Sequence, residues 1–344
     1  LNYTLGENDI NHCIRAAGIK HIITSKKMME KMSFNLDAEL VFAEDLKEQM
    51  TSLDKGIAAA QAYAMTTYLL ERFHGLTKIR PDDVLGIIFT SGSTGEPKGV
   101  MLSQNNVMSN IDSTDALIHW KSTDSIMGVM PFFHSFGFTL SLWMTLTTEI
   151  PAVFHHNPID GRTVGKLCDQ HNVSILMGTP TFLRAYLKRC TPEQMKNLEL
   201  TVVGAEKLPR ELAEEFLEKF GVWPTEGYGA TELSPLASAN VPKTRTGAEK
   251  EDGLKFGTVG RVIPGSTVRV VDPDSGEELP ANTPGVLQFA GPNVMLGYLN
   301  QPEKTAEVVR EGWYHSGDIG TIDEAGFITL TGRLNRFSKI GGEM

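Results

Sequence analysis

A chain of 344 residues is too long for one core of ordinary size, so two or more compact units are expected. Its 41% hydrophobic and 22% charged content is that of an ordinary globular protein. A net charge of −10 argues against a nucleic-acid surface, which would want a basic face.

In chain order, "LNYTLGENDINHCIRAAGIKHIITSKK" reads as a helix followed by a strand. From about residue 84 to 228, strand-like runs alternate with helical ones. "VLGIIFT" precedes a helix starting near Ser103, whose side chain can cap it. "SIMGVMPFF" precedes a buried helix at Phe136. "IPAVFHH" leads to a helix from about Asp160, and "VSILMGT" to "PTFLRAYLKR", with Pro180 in its first turn. "LELTVVGA" leads to "PRELAEEFLEKFG", where Gly221 is a stop signal. Such alternation implies a mainly parallel sheet with helices on its faces. After about Gly257 the texture becomes β-rich: "STVRVVD", "GVLQFAG", "GDIGTID" and "GFITLTGR", with "DEAG" at 323–326 as a hairpin turn. The fold class is therefore α/β, with parallel-sheet subdomains over 1–256, a β-rich subdomain over 257–332, and a linker from 333.

Cys13, Cys168 and Cys190 are widely spaced and form no CxxC pair, so neither a disulfide framework nor a zinc site is expected. No apolar run reaches the roughly 18 residues of a membrane-spanning helix, and no signal peptide is visible. The chain opens at Leu1 and closes at Met344 straight after "KIGGE", which reads as a fragment of a longer protein.

The segment "TSGSTGEPKG" places Thr90, Ser91, Gly92, Ser93, Thr94 and Gly95 directly after an apolar strand, with Lys98 close behind. It lacks the Gly-x4-Gly-Lys-Ser/Thr order of a P-loop, and the chain lacks the Gly-x-Gly-x-x-Gly of a dinucleotide fold. Gly92 and Gly95 can adopt backbone angles closed to other residues, which would let amides and hydroxyls approach phosphate oxygens. Read as following a central strand, the loop sits where open α/β sheets bind ligands. On its own it is equally a plain turn.

The ordered set "TSGSTGEPKG", "VVGAEKLP", "EGYGATE", "YHSGD" and "GRLNRFSKIGGE" resembles the adenylate-forming superfamily. That superfamily holds acyl-CoA synthetases, luciferases and peptide-synthetase adenylation domains. The wording "PFFHSFGFTLSLW" is most similar to its bacterial acyl-[acyl-carrier-protein] synthetases, which are often fused to an acyltransferase. The resemblance implies ATP-dependent activation of a fatty acid as acyl-AMP, then transfer to the thiol of acyl carrier protein. A fatty acyl-CoA synthetase is the near alternative, and a non-catalytic nucleotide- or acyl-binding module the distant one. It also implies a large N-terminal adenylate-forming domain, a missing small C-terminal domain, and a cytoplasmic place, with membrane association only through absent parts.

Residue by residue, the resemblance implies that residues 90–95 and Lys98 hold the β- and γ-phosphates of ATP. Thr231 would bond the α-phosphate, and Glu232 would hold Mg²⁺, a cation that takes oxygen ligands. Tyr228 and Gly229, with Gly204, Ala205 and Glu206, would line the adenine. Asp318 would accept the ribose hydroxyls, helped by Arg333. His134 would separate the acid pocket from the thiol path. Trp143, Met177, Thr179 and Phe182 are candidates both for the acyl pocket and for plain core. Asn335 stands at the family's hinge, where Asp or Lys is common. Lys339 aligns with a lysine of the thioester-forming orientation, and Gly341 and Gly342 with the thiol tunnel. The family's adenylating lysine lies beyond Met344, so severely impaired adenylation is expected of this chain.

Overall fold

The computed structural model describes residues 1–32, 34–90, 96–246 and 253–334. Contacts divide the chain into two units: Leu1–Gln104 with Tyr298–Asn300, and the remainder.

In the first unit, apolar spacing along α1 (Glu7–Ala17) buries Ile10, Cys13 and Ile14 on one face, and Gly18 closes the helix at φ 61°. β1 (His21–Thr24) pairs in parallel with β2 (Glu39–Phe42), and α2 (Lys26–Met32) connects them. Three short helices follow: α3 (Ala43–Gln49), α4 (Ser52–Ala64) and α5 (Thr67–Phe73). Thr51 and Asp54 form a reciprocal capping box at α4.

β3 (Val84–Thr90) then turns back antiparallel onto β4 (Lys98–Ser103), with Thr90 opposite Lys98 and Ile88 opposite Val100. This corrects the sequence reading. The Gly-rich segment joins two strands of a hairpin and does not follow a central strand of the parallel sheet. β4 escaped notice because its six residues merge Lys98 and Gly99 with only two large buried side chains, Val100 and Leu102.

The second unit begins along α6 (Gln104–Leu117), which starts one residue after Ser103. Next come β5 (Ile126–Gly128), a π-helical stretch over Gly137–Trp143, α7 (Met144–Thr147), β6 (Ala152–Phe154), α8 (Gly161–Gln170), β7 (Ile175–Gly178), α9 (Pro180–Arg189), β8 (Leu200–Val203), α10 (Arg210–Phe220), β9 (Pro224–Gly229), β10 (Leu236–Ala239) and β11 (Arg261–Val262). They build a seven-stranded sheet in the order β11-β10-β9-β8-β7-β5-β6. Pairing is parallel from β6 to β9 and antiparallel from β9 to β11.

The expected starts and stops hold at α8, α9 and α10. The Asp160 side chain accepts from the Thr163 amide at α8, Thr179 accepts from Phe182 ahead of Pro180 at α9, and Gly221 ends α10 at φ 75°. Leu176, Leu183, Tyr186 and Phe216 fill the layer between the sheet and α8 to α10. Each such side chain stabilises by roughly 1.5–3 kcal/mol. The π-helical stretch replaces the regular helix expected at Phe136. Its first residue lies so near the preceding turn that a Cβ on Gly137 would stand 2.2 Å from the Pro131 carbonyl oxygen.

β12 (Thr267–Val271) and β13 (Gly285–Ala290) open the β-rich part. The short β14 (Gly297–Tyr298) leads to residues that run beside β4, where the Leu299 amide donates to the Gly99 carbonyl at 2.8 Å. α11 (Pro302–Val308), β15 (Val309–Arg310), β16 (Trp313–Ile322) and β17 (Ile328–Arg333) complete it. The sheet order is β12-β13-β16-β15, with β17 also on β16. The predicted turn between β16 and β17 is present: Gly326 adopts φ 81° and its amide bonds the Asp323 carbonyl at 2.9 Å. No helix among the described residues is long and apolar enough to cross a membrane.

Candidate active site

Parallel strands end their carboxyl edges side by side, and loops leaving those edges converge on one space. The loops after β5, β7, β8 and β9 line a cavity of about 560 Å³ in the second unit. His134 and Ser135 enter it from the β5 loop, Thr179 from β7, Gly204, Ala205 and Glu206 from β8, and Tyr228, Gly229 and Thr231 from β9. Six residue types singled out in three separate strings therefore meet at one place.

The backbone here is unusual in two places. Ala205 sits at φ 67°, a left-handed conformation that costs a non-glycine residue about 1 kcal/mol or more. Gly229 packs so tightly on the next strand that a Cβ would stand 2.1 Å from the Pro235 carbonyl oxygen. Only glycine fits there. Glu206 accepts a 2.8 Å bond from the Thr181 hydroxyl, which turns its carboxylate along the rim.

The Thr231 hydroxyl lies 3.2 Å from that of Ser135, 96 positions earlier in the chain. Ser135 is buried, so it fixes where the Thr231 oxygen stands. Glu232 follows on the short 3-10 turn Thr231–Leu233, whose carbonyl at Glu232 receives the Met295 amide at 2.9 Å. Among the described residues no group of three or more His, Cys, Asp or Glu could hold a metal. A lone carboxylate suits Mg²⁺ only where phosphate oxygens and water complete the shell, and that is how Mg²⁺ usually sits beside nucleotides.

β16 and β17 place Asp318 directly opposite Arg333, whose Nε lies 3.2 Å from Oδ1. Tyr228 reaches over from β9 and donates its hydroxyl to Asp318 Oδ2 at 2.6 Å. Its ring stacks on Phe289 of β13, with centroids 5.6 Å apart. Burial, then the neighbouring Asp318 carboxylate, pushes the Tyr228 phenol well above its ordinary value, so it stays a donor. Tyr228, Asp318 and Arg333 are thus one hydrogen-bonded unit.

Thr90 and Lys98 belong to the first unit and form its last cross-strand pair. The Lys98 ammonium lies 4.5 Å from the Tyr298 ring centroid, a cation–π contact. Ser91, Gly92, Ser93, Thr94 and Gly95 lie outside the described residues, as do Asn335, Lys339, Gly341 and Gly342.

Met177, Thr179 and Phe182 line the cavity. The Trp143 ring instead packs edge-on to Phe138 at 6.2 Å. Sequence reasoning missed Ser135, Thr114, Trp120 and Val202, which also line it. Ser135 stands beside His134 in a quoted string and could have been found. Val202 likewise opens the quoted "VVGAEKLP", whereas Thr114 and Trp120 carry no local signal.

Burial holds the His134 imidazole below its ordinary value, so it is neutral at pH 7. A depressed folded-state value gives stability that is present above the unfolded value of about 6.5 and lost as pH falls through the lower folded value. The urea midpoint of the protein is therefore expected to fall more steeply between pH 7 and pH 5 than that of His134→Asn. Equal slopes would show that His134 takes up its proton freely.

A family model described as "AMP-binding enzyme" matches residues 1–299. The chain belongs to the AMP-binding enzyme family. This AMP-binding chain is 32% identical over 273 residues to 4-coumarate–CoA ligase 1 of Solanum tuberosum, covering 77% of this chain and 49% of that protein. It is 29% identical over 268 residues to the long-chain-fatty-acid–CoA ligase of Escherichia coli, covering 76% and 46%. The crystal structure of apo MatB from Rhodopseudomonas palustris superposes with a TM-score of 0.77 at 27% identity, over 99% of this chain and 64% of that one. The same MatB has also been crystallised with ATP bound. The AMP-binding chain spans about half the length of the relatives it matches. Its α/β fold, with mixed sheets, is that of the large domain of adenylate-forming enzymes.

Proposed function

We propose that this AMP-binding chain carries the adenylating site of an acid–thiol ligase acting on a fatty acid. One observation carries the reading: His134, Gly204, Ala205, Glu206, Tyr228, Gly229 and Thr231 converge on one cavity at the carboxyl edge of a parallel sheet. In the first half-reaction a carboxylate oxygen of the acid attacks the α-phosphorus of ATP. The bond to pyrophosphate breaks, and acyl-AMP remains. In the second, a thiol adds to the acyl carbon, the bond to AMP breaks, and the thiol proton leaves to solvent.

The chain's own groups divide this work. Tyr228 flanks the adenine, and Asp318 accepts the ribose hydroxyls. Thr231, steadied by Ser135, donates to the α-phosphate. Thr90, Lys98 and the loop between them hold the outgoing phosphates. Neutral His134 stands between the acid and the thiol without adding charge near the acyl carbon. Mg²⁺ on Glu232 would supply charge neutralisation at the phosphates.

Either acyl carrier protein or CoA can be the acceptor. The wording of "PFFHSFGFTLSLW" favours acyl carrier protein, and the names of the relatives favour CoA. Calorimetric titration with an alkanoyl-sulfamoyl adenosine, a stable acyl-AMP mimic, is expected to show one saturable site, and absence of heat with both this compound and AMP would overturn the reading. Thioester formation by the full-length protein on a panel of purified carrier protein and CoA then decides the acceptor.

A further inference from the structure

The cavity does not stop at the residues that would meet the nucleotide. It continues along the sheet to Ile175 and Leu200, the first residues of β7 and β8. Alternation along a strand puts Ile175 and Met177 on one face, and Leu200, Val202 and Gly204 likewise. The four residue steps from Gly204 down to Leu200 span about 13 Å at ~3.3 Å each. Thr114 and Leu117 of α6, with Leu140 and Met144, also line the cavity. The walls of this inner stretch are almost wholly apolar.

Trp120 also lines the cavity. The residues beside it are tied to the starts of the strands: the Lys121 ammonium pairs with Glu199, immediately before β8, and the Lys121 amide donates to Asp124 Oδ2 at 2.7 Å. On its other side, the His119 amide donates to the Arg245 carbonyl at 2.8 Å. The backbone carrying the indole is thus pinned on both flanks by groups anchored to a buried ion pair. Its indole Nε1 has no hydrogen-bond partner among the described residues, so packing and backbone place the ring.

We propose that Trp120 is the end wall of the acid pocket and sets the length of aliphatic chain that the site accepts. This rests on the function proposed above. The acid is one with a flexible, unsubstituted tail that runs inward along β7 and β8. Each methylene that enters the apolar stretch raises affinity by up to about fourfold. Once the tail meets the indole, a further methylene has nowhere to go and the gain ends.

The test is a titration series of alkanoyl-sulfamoyl adenosines of increasing chain length, read by calorimetry, with AMP as the reference ligand. Affinity is expected to climb with length and then break. In Trp120→Ala the break is expected to move to chains longer by two or more carbons. Thr114→Leu, which adds bulk to the cavity wall from α6, is expected to move it to shorter chains. The two variants act in opposite directions, so a folding defect in one leaves the other decisive. Binding of AMP with no break, or a break that neither variant moves, overturns the assignment of Trp120 and leaves the nucleotide site standing. Failure of AMP and of every analogue to bind overturns both.

Discussion

Replacing Asp124 with alanine is expected to cost about 3–5 kcal/mol of folding stability, because it strands a buried cation. The side chains of Arg245 and Asp124 are 0% and 1% exposed. Their contact is bidentate, Nη1 to Oδ2 at 2.7 Å and Nη2 to Oδ1 at 3.0 Å. Asp124 also accepts from the Ser174 hydroxyl at 2.7 Å and the Lys121 amide at 2.7 Å. After the substitution, Arg245 keeps only Glu199 at 2.8 Å as an ionic partner, and that carboxylate is 42% exposed and screened by water. The lower end of the range therefore applies.

Removing both charges, as in Asp124→Leu with Arg245→Met, is expected to cost less than Asp124→Ala alone, since no unpaired charge remains. Burial pushes the Asp124 carboxyl up, but the Arg245 guanidinium and two further donors outweigh it and hold the value below normal. That contribution is complete above the unfolded value of about 3.9 and is lost as pH falls through the lower folded value. Urea denaturation of the three proteins at pH 7 measures the difference. A midpoint unchanged in Asp124→Ala would mean that the pair contributes nothing net.

Asp318→Asn is the second substitution with a large expected effect, and its effect falls on ligand binding. Hydrogen bonds to a charged acceptor contribute about 1.5–3 kcal/mol each, so two to ribose hydroxyls amount to roughly a 10²–10⁴-fold change in affinity. The amide keeps the size of the carboxylate but replaces one acceptor oxygen with a donor. It also loses the charge that pairs with Arg333, while its remaining oxygen can still receive the Tyr228 hydroxyl. Arg333 is more than half exposed, so breaking that pair changes stability little. Calorimetry with the acyl-AMP mimic is expected to show the drop while the urea midpoint stays near that of the unaltered protein. Equal affinity in the two proteins would remove Asp318 from the nucleotide site.

Much of this site was visible before any contact was known. Tyr228, Thr231, Gly204 and His134 each stand in a short string just after a strand, and strand ends are written in local pattern. The Gly-rich segment was wrongly framed, because β4 hid its alternation behind Lys98 and Gly99. Nothing in "VPKTRTG" marks Arg245 as buried, because its partner lies 121 positions earlier. The Tyr228 to Asp318 bond spans 90 positions, and neither residue's string names the other.

The alternation of strand and helix along the chain from β6 to α10 came from the sequence alone, since caps, periodicity and glycine stops act over three or four residues. Pairing of β3 with β4, burial of Arg245, the Tyr228–Asp318–Arg333 unit and the place of Trp120 in the cavity wall were settled only by folding. Each depends on which distant groups share a space without water, and desolvation there decides whether a charge, a hydroxyl or a ring is structure or site.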